Sequence, residues 1–392
     1  MNAPHAPHTT PFSSTANILE VRNLSVEYAS ASGTVRALNN VSIALGRGQI
    51  LGLAGESGSG KTTLGHAIAR LLRPPAAITS GQVLYYPADD SQHARPANTP
   101  GDSQPIDILQ LSGKQLRAVR WSTLAIVFQS AMNALNPVLR LSSQIDDVLK
   151  AHRPEMTAQE RRERANELLR LVGISPDRIK SYPHELSGGT RQRAIIAIAL
   201  ALSPEIIIMD EPTTALDVVV QREILLEIAR LRERFNFSVI FITHDLSLLL
   251  ELADTIAIMY AGRIVETATR AELKRQPRHP YSYGMLHSFP TLRGPRRRMT
   301  GIPGSPPDLR ETPAGCAFHP RCPMAFAPCA MVLPKMRSSS AETPQQMVAC
   351  HLYDSTYASG SLPTNAEFGA RYEEVFAQSR LGTRRAVVED VR

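Results

Sequence analysis

Residues 55–63 read Gly-Glu-Ser-Gly-Ser-Gly-Lys-Thr-Thr, which matches the pattern G-x-x-x-x-G-K-[ST] of phosphate-binding loops. The glycines of such a loop let the backbone curl, so that successive N–H groups point at phosphate oxygens. An apolar run precedes the stretch at 50–54, and a segment with helical spacing follows it at 63–72. The sequence here predicts a strand, a phosphate-binding loop and a helix whose N-terminus favours anions.

Two side chains of this loop have separate predicted roles. Lys61 is expected to reach the β- and γ-phosphates of a nucleotide, and Thr62 is expected to offer its hydroxyl group to Mg²⁺. The loop residues predicted to bind the nucleotide are Gly55, Ser57, Gly58, Ser59, Gly60, Lys61, Thr62 and Thr63.

The bulk composition limits the class of protein. The 392 residues suffice for two or three domains, and no apolar run approaches the roughly 18–20 residues that span a bilayer. The net charge of +7 resides in segment 261–300, a local basic stretch typical of a solvated linker, so no nucleic-acid partner is expected. Residues 1–17 lack the features of a signal peptide, which predicts a disordered leader and a cytoplasmic protein.

Strand and helix patterns alternate along the chain, which predicts an α/β core with a largely parallel sheet. Apolar and polar residues alternate over 18–28, which predicts an edge strand entering the sheet. Residues 256–265 indicate a hairpin. Residues 130–200 are predicted to be mostly helical, and one helix begins at a capping box of Thr157 and Glu160. The other predicted strands lie at 35–45, 124–128, 206–209 and 239–242.

Changes in composition mark the predicted boundaries. Residues 86–107 are polar and rich in proline, which predicts a loop insertion. From about residue 275 the composition shifts to Pro, Arg and Cys, which predicts a separate C-terminal extension over 275–353. The tail at 354–392 has little apolar periodicity and is predicted to be mobile.

Two carboxylates end the apolar run at 206–209. Parallel strands buried on both faces deliver such residues to the carboxyl edge of the sheet, beside a phosphate-binding loop. Asp210 is therefore expected to hold Mg²⁺ through water, and Glu211 is expected to polarise the attacking water as a general base.

A second anion site is predicted where Ser187, Gly188 and Gly189 precede an apolar helix at 194–202. One fold with two phosphate-binding helix N-termini predicts a dimer in which each subunit caps the other's nucleotide. Gln129 and His244 each follow a predicted strand, where a loop leaves the sheet.

This set of motifs resembles the ATP-binding subunits of ABC transporters. The matching elements occur in the family's order over residues 18–270, as the loop 55–62, Gln129, Leu186–Gly189, Asp210-Glu211, Ala215-Leu216-Asp217 and His244. The resemblance implies that Tyr28 stacks on adenine, that His244 holds the γ-phosphate and the attacking water, and that Gln129 joins Thr62 and Asp210 around Mg²⁺. It also implies that Ser187, Gly188, Gly189 and Asp217 act in trans, at the partner subunit's ATP.

A narrower resemblance concerns the oligopeptide/dipeptide/nickel importer branch of that family. It is carried by Phe128–Pro137, His279-Pro280-Tyr281, Gly301–Gly304 and the stretch from Cys316 to Cys322. Two departures, Ser130 in place of an acidic residue and the longer insertion at 86–107, lie where a partner would bind.

The resemblance implies a fold, a function and a set of partners. The fold would be an ABC-type P-loop ATPase core over 18–274, with a helical subdomain at about 130–200, an antiparallel β edge and the extension. The chain would hydrolyse ATP to energise import of peptides through two membrane permease subunits, at the cytoplasmic face of the inner membrane. A second ATPase subunit, related or identical, and indirectly an extracytoplasmic solute-binding protein would complete the system. The alternatives are import of nickel or oligosaccharide, or a soluble ABC ATPase that acts on DNA or the ribosome.

All four cysteines lie in the extension, at Cys316, Cys322, Cys329 and Cys350. Their spacing lacks the tight C-x₂₋₄-C pairs that zinc sites favour, whereas wider loops can still wrap a 4Fe–4S cluster. The extension of the importer branch is associated with such a cluster. Zinc and reduced buried thiols remain the alternatives for these cysteines.

Overall fold

The computed structural model describes residues 17–31, 33–87, 104–129, 134–214, 216–288, 301–358 and 361–389, with residues 378–389 described by their backbone alone. The predicted leader lies outside these residues except for Asn17, which begins the first strand. Most of the predicted insertion, residues 88–103, also lies outside them.

The described residues form strands β1 (Asn17–Ser30), β2 (Gly33–Gly46), β3 (Ile50–Ala54), β4 (Ala76–Tyr85), β5 (Ile106–Asp107), β6 (Leu124–Val127), β7 (Ile206–Asp210), β8 (Ser238–Ile242), β9 (Thr255–Tyr260), β10 (Arg263–Thr269), β11 (Arg337–Ser338) and β12 (Met347–Val348). Their α-helices are α1 (Lys61–Ile68), α2 (Gly113–Val119), α3 (Leu141–His152), α4 (Ala158–Leu171), α5 (Gly188–Ala199), α6 (Val218–Phe235), α7 (Leu246–Leu252), α8 (Arg270–Arg275), α9 (Pro280–His287), α10 (Ala327–Met331) and α11 (Asn365–Glu389). None of the described helices is both long and apolar enough to cross a membrane.

The strands form two sheets. The larger has the order β11-β12-β10-β9-β3-β8-β7-β6, and within it β9, β3, β8, β7 and β6 run parallel. The hairpin of β9 and β10 and the pair of β11 and β12 continue it in antiparallel fashion. The predicted α/β fold with a parallel core and a hairpin is confirmed.

Burial on both faces explains why the central strands read as unbroken apolar runs. Every residue of β3, β7 and β8 is buried. Alternate residues enter opposite cores, since Ile206 and Ile208 pack with α1 and the smaller sheet, whereas Ile207 and Met209 pack with α3, α4, α5 and α6. Buried parallel strands of this kind end together at one edge of the sheet, where the polar residues follow.

The smaller sheet corrects two predictions. Its order is β2-β1-β4-β5, and it is antiparallel throughout. The strand predicted at an edge of the main sheet, β1, is an inner strand here, because both β2 and β4 pair with it. The predicted insertion at 86–107 ends in a strand, since β5 (Ile106–Asp107) pairs with β4.

The predicted helical region forms α3, α4 and α5 and packs on the β6 end of the main sheet. The capping box that begins α4 is present, since Thr157 Oγ1 accepts a hydrogen bond from the Glu160 N–H while Glu160 accepts one from the Thr157 N–H. Gly173, in a left-handed conformation with φ of 68°, follows the end of α4.

The extension continues the main sheet rather than forming a detached unit. Strand β12 pairs with β10. At the junction Glu266 is fully buried, and its carboxylate accepts hydrogen bonds from the N–H groups of Arg278 and His279 and from the Gln346 amide, at 2.8, 2.8 and 2.9 Å.

The prediction of a mobile tail from 354 missed helix α11. Phe368 and Tyr372 of this helix are fully buried in a cluster with Tyr283, and the Tyr372 hydroxyl donates to the Pro280 carbonyl at 2.8 Å. These two aromatic residues lie one turn apart, on the same face of α11, and bury a large apolar area there. Two aromatic residues are too short a pattern to produce apolar periodicity in the sequence.

Candidate functional site

The phosphate-binding loop connects β3 to α1, and two of its glycines lie against neighbouring backbone. Gly55 and Gly60 have φ of 156° and 104°. A Cβ at Gly55 would collide with the Met259 carbonyl oxygen, and one at Gly60 would collide with the Ala37 carbonyl oxygen. Neighbouring backbone therefore encloses the loop on both sides.

Helix α1 begins at Lys61 and ends at Ile68, earlier at both ends than the predicted span of 63–72. Arg70 adopts a left-handed conformation, with φ of 52°, which ends the helix. Lys61 and Thr62 consequently lie in the first helical turn, where unpaired N–H groups point toward an anion.

The Lys61 ammonium is buried and bonded to the loop itself. Its Nζ donates to the Gly55 and Glu56 carbonyl oxygens at 2.8 and 2.9 Å. Burial lowers the pKa of Lys61, while the nearby Glu211, Asp210 and Glu56 carboxylates act in the opposite direction. The loop thus holds a cation whose charge is only partly compensated.

Thr62 and Asp210 provide oxygen atoms that fit Mg²⁺. Thr62 Oγ1 donates to Asp210 Oδ1 at 3.2 Å. Asp210 is buried, and among the described residues its Oδ2 has no hydrogen-bond partner. Burial raises the pKa of Asp210, and the Thr62 hydrogen bond opposes that rise. A buried carboxylate oxygen without a partner, beside a hydroxyl group, suits a hard divalent cation.

Glu211 is the centre of a hydrogen-bonded cluster. Its Oε1 lies 3.2 Å from His244 Nδ1, and its Oε2 accepts from Gln129 Nε2 at 3.2 Å and from Thr214 Oγ1 at 3.0 Å. Its backbone has φ of 45° and is held by the Glu211 N–H bond to the Ile242 carbonyl at 2.9 Å. The structure therefore brings together Gln129, Glu211 and His244, which are far apart in sequence.

Thr214 also belongs to this cluster and was not among the predicted site residues. Its position three residues after Glu211, on the same turn, is the signal that could have identified it. The Glu211 side chain is 13% exposed and that of His244 is 58% exposed, so the cluster opens to solvent on the histidine side.

Tyr28 lies beside the end of the phosphate-binding loop. It is on β1, and its hydroxyl oxygen lies 3.4 Å from Thr63 Oγ1. The smaller sheet thus places an aromatic residue, Tyr28, beside Thr63, the last residue of the loop.

The predicted trans-acting residues lie together at the start of two helices. Ser187 caps α5 by accepting from the Thr190 N–H at 3.3 Å, and Asp217 caps α6 by accepting from the N–H groups of Val219 and Val220. A Cβ at Gly189 would lie 2.6 Å from Val220 Cγ1, so the two helix starts are in close contact.

No hydrogen bond within the described residues joins Ser187, Gly188, Gly189 or Asp217 to the phosphate-binding loop of the same chain. Beside Asp217, Val218 is 79% exposed and Val219 is 69% exposed. Ala215 lies outside the described residues.

The four cysteines approach one another without forming a metal site. All four are free thiols, and Cys329 and Cys350 are buried. Burial raises the pKa of Cys316 to about 11, and burial together with neighbouring thiols raises the pKa of Cys322 and Cys350. In the part of the chain that the structure describes, no group of three or more His, Cys, Asp or Glu residues could hold a metal ion. As placed here, the thiols do not fit the predicted cluster.

Comparison with known proteins places this geometry in a family. Residues 38–214 match the ABC transporter family, and residues 265–329 match the oligopeptide/dipeptide transporter C-terminal region. The chain is 41% identical over 313 residues to the oligopeptide transport ATP-binding protein OppD of Bacillus subtilis (strain 168), covering 79% of this chain and 82% of that protein. It is 42% identical over 313 residues to the dipeptide transport ATP-binding protein DppD of Lactococcus lactis subsp. cremoris (strain MG1363), covering 79% and 84%.

Solved structures agree with the cassette fold. One is the ATP-binding cassette MJ0796, a dimer in a post-hydrolysis state bound to ADP and Pi, with a TM-score of 0.53 and 28% identity over 64% of this chain and 98% of that one. Another is cbiO1 of Clostridium perfringens, part of the transporter complex cbiONQ, with a TM-score of 0.53 and 26% identity over 66% and 91% of the two chains. The chain belongs to the ATP-binding proteins of ABC transporters, in the oligopeptide/dipeptide transporter family, and is an ABC-type ATPase.

Proposed function

We propose that this chain is the ATP-hydrolysing subunit that energises import of peptides through two partner membrane permease subunits. The observation that carries the proposal is the cluster of Gln129, Glu211 and His244 next to Thr62 and Asp210. The relatives named for oligopeptide and dipeptide transport support peptides as the substrate class. Neither ATP nor the cluster touches the imported solute, so nickel and oligosaccharide remain the alternative cargoes.

The first step of the proposed reaction is the binding of ATP. Tyr28 stacks on adenine, the N–H groups of the loop 55–63 surround the phosphates, and Lys61 turns from the loop carbonyls to the β- and γ-phosphates. Thr62, Asp210 and Gln129 would hold Mg²⁺, which would neutralise phosphate charge. Ser187, Gly188, Gly189 and Asp217 of a second ATPase subunit, related or identical, close over the γ-phosphate.

The second step is hydrolysis. Glu211 accepts a proton from the attacking water, and His244 orients that water and the γ-phosphate. The hydrogen bonds from Gln129 and Thr214 to Glu211 Oε2 leave Oε1 facing His244, which supports this division of roles. Release of phosphate then reopens the dimer.

A groove beside this cluster supports a site for the permease. A cavity of about 400 Å³ lies between α1, β6, α3 and α5. Apolar side chains dominate its lining, among them Leu71, Trp121, Phe128, Val148 and Ile198. Phe128 adjoins Gln129, so an occupant of the groove would contact the residue next to the catalytic cluster. We propose that a permease segment docks here, at the cytoplasmic face of the inner membrane.

Replacing Val148 with Asp is expected to reduce recovery of permease subunits at least about tenfold, because a carboxylate would be buried in an apolar contact. The measurement is affinity purification of the tagged chain from mildly solubilised native membranes, with mass spectrometry of the copurifying proteins. Lys150→Asp on the exposed face of α3 is the matched control.

The unmodified chain should recover two polytopic subunits, with or without a second ATPase. Recovery of soluble partners alone, such as ribosomal or DNA-repair proteins, would favour the alternative of a soluble ABC ATPase. If the Val148→Asp and Lys150→Asp variants lose permease subunits equally, the groove is not the docking site.

A 4Fe–4S cluster on Cys316, Cys322, Cys329 and Cys350 is a separate proposal. Its support is that all four cysteines lie in the extension and that the Cys316 N–H donates to the Cys329 carbonyl at 2.8 Å, which brings these two residues side by side. It requires the thiols to move into a tighter arrangement than the described one. Protein purified without oxygen from an iron-replete host should then be brown and carry about four irons per chain. Colourless, iron-free protein would contradict this proposal.

A further inference from the structure

The extension contacts the phosphate-binding loop directly, through Arg321 and Glu56. Arg321 Nη1 donates to Glu56 Oε2 at 2.6 Å, and Nη2 donates to Oε1 at 3.0 Å. Glu56 is the second residue of the loop 55–63, whereas Arg321 lies 265 residues later in the chain. A bidentate pair of this geometry fixes both orientation and distance.

The guanidinium of Arg321 is fully engaged. Besides the pair with Glu56, its Nε donates to the Pro303 carbonyl at 2.6 Å, Nη2 to the Gly304 carbonyl at 3.2 Å and Nη1 to the Tyr260 hydroxyl at 3.2 Å. These five bonds match the five N–H donors of arginine. The Arg321 side chain is only 5% exposed, so removing its partners would leave a buried cation.

Packing of the extension on the ATPase core holds Arg321 in place. Phe318, three residues earlier and fully buried, lies with its ring centroid 5.3 Å from those of Tyr260 and Tyr281. The Arg321 guanidinium lies over the Tyr260 and Phe318 rings at 5.8 and 5.9 Å. The turn that carries Arg321 is thus anchored to β9 and α9.

The backbone of Glu56 connects this contact to the ATP site. Its N–H donates to the Tyr281 hydroxyl at 2.8 Å, and its carbonyl accepts from Lys61 Nζ at 2.9 Å and from the Ser59 N–H at 3.2 Å. Arg321 and Tyr281 therefore hold the side chain and the N–H of Glu56, whose carbonyl in turn positions the Lys61 ammonium.

We propose that Arg321 is a positioning residue of the ATP site, which acts through Glu56 to preorder the phosphate-binding loop and so raises the affinity for Mg-ATP. The extension then contributes to nucleotide binding as well as to the fold. Without Arg321 the loop would have to be ordered when ATP binds, which lowers affinity. The chemical step would be unaffected, because Arg321 touches neither Glu211 nor His244.

The test is Mg-ATP binding and hydrolysis by the Arg321→Ala variant of the full chain. We expect the dissociation constant, measured with a fluorescent ATP analogue, to rise roughly threefold to tenfold, which is the ordering cost of a long side chain and its loop. In the assembled importer KM for ATP should rise by a similar factor, while kcat stays within about twofold. Arg321→Lys, which keeps the charge but loses the bidentate geometry, should restore part of the affinity.

A second pair of variants separates positioning from loss of structure. Glu56→Gln should raise the dissociation constant as Arg321→Ala does, and combining the two should add little more, since both act through one contact. Arg337→Ala is the matched control, because Arg337 also lies in the extension but forms its ion pair with Asp354, the first residue of the tail.

The proposal is overturned if ATP affinity is unchanged in folded Arg321→Ala, if the two substitutions are additive, or if Arg337→Ala has the same effect. Should Arg321→Ala fail to fold, Glu56→Gln decides alone, and an unaltered affinity in that variant rejects the proposal. These binding measurements use the ATPase chain by itself, so they remain decisive if the peptide-import proposal fails.

Discussion

Replacing Glu211 with Gln is expected to lower the rate of ATP hydrolysis at least about a hundredfold while leaving ATP binding intact, because a general base contributes that much to proton transfer. Glutamine keeps the size of the side chain and an oxygen that can accept from Gln129 or Thr214. It cannot take a proton from the attacking water. The bound triphosphate should consequently persist, and with it a closed dimer.

The measurement combines steady-state phosphate release with size-exclusion chromatography in Mg-ATP. The variant should elute as a dimer with ATP and as a monomer without it. Glu374→Gln is the matched control, since Glu374 is an exposed carboxylate on α11. Retained steady-state hydrolysis in Glu211→Gln would falsify the assignment of the base and transfer that role to another group near His244.

The parallel core could be predicted from the sequence because each of its strands carries its own pattern of apolar residues. Runs such as Ile206–Met209 are apolar throughout, as expected for a strand buried on both faces, and the carboxylates that follow such a strand then reach one edge of the sheet. The sequence predicted that Gln129, Glu211 and His244 each follow a strand, and the structure shows that these strands are neighbours in the sheet. The hydrogen bonds among them follow from the parallel pairing of β6, β7 and β8.

Features that depend on distant contacts were not predictable in this way. The alternation in β1 fits an edge strand and an inner strand equally well, so its partners β2 and β4 had to come from the structure. The docking of α11 depends on Tyr372 meeting Pro280. The contact of Arg321 with Glu56 could not be predicted from the sequence around either residue, because each residue, taken alone, is typical of an exposed charged side chain.

The cysteines show that spacing in the sequence does not by itself define a metal site. The family resemblance implied a 4Fe–4S cluster and the spacing allowed one. Spacing sets only what a loop can reach, however, whereas a metal site also requires thiolates that point at one centre. In the described structure Cys329 and Cys350 are buried, and partial burial raises the pKa of Cys316 to about 11. A neutral thiol is a poor ligand, so metal binding there would have to release protons and rearrange the loop.

Replacing Lys61 with Ala is expected to weaken Mg-ATP binding by a factor of about 30 or more, the cost of removing one partner of a buried, hydrogen-bonded charge pair. The unliganded protein should lose little thermal stability, because burial lowers the pKa of Lys61 and its ammonium is therefore an unfavourable charge until phosphate arrives. Calorimetric titration with Mg-ATP and a thermal melt of the same sample measure the two quantities. Lys150→Ala on the exposed face of α3 is the control.

The lowered pKa of Lys61 also predicts how binding depends on pH. ATP binding requires the charged ammonium of Lys61. The affinity for ATP is therefore highest at pH values below the pKa of Lys61 in the ATP-free protein, and it falls as the pH rises through that pKa. Because burial lowers that pKa from 10.5, the fall should begin at lower pH than for an exposed lysine. Lys61→Arg keeps its charge throughout this range and should show a flatter profile. An identical alkaline loss of affinity in Lys61→Arg would assign the titration to a different group and leave the role of Lys61 to the Lys61→Ala result alone.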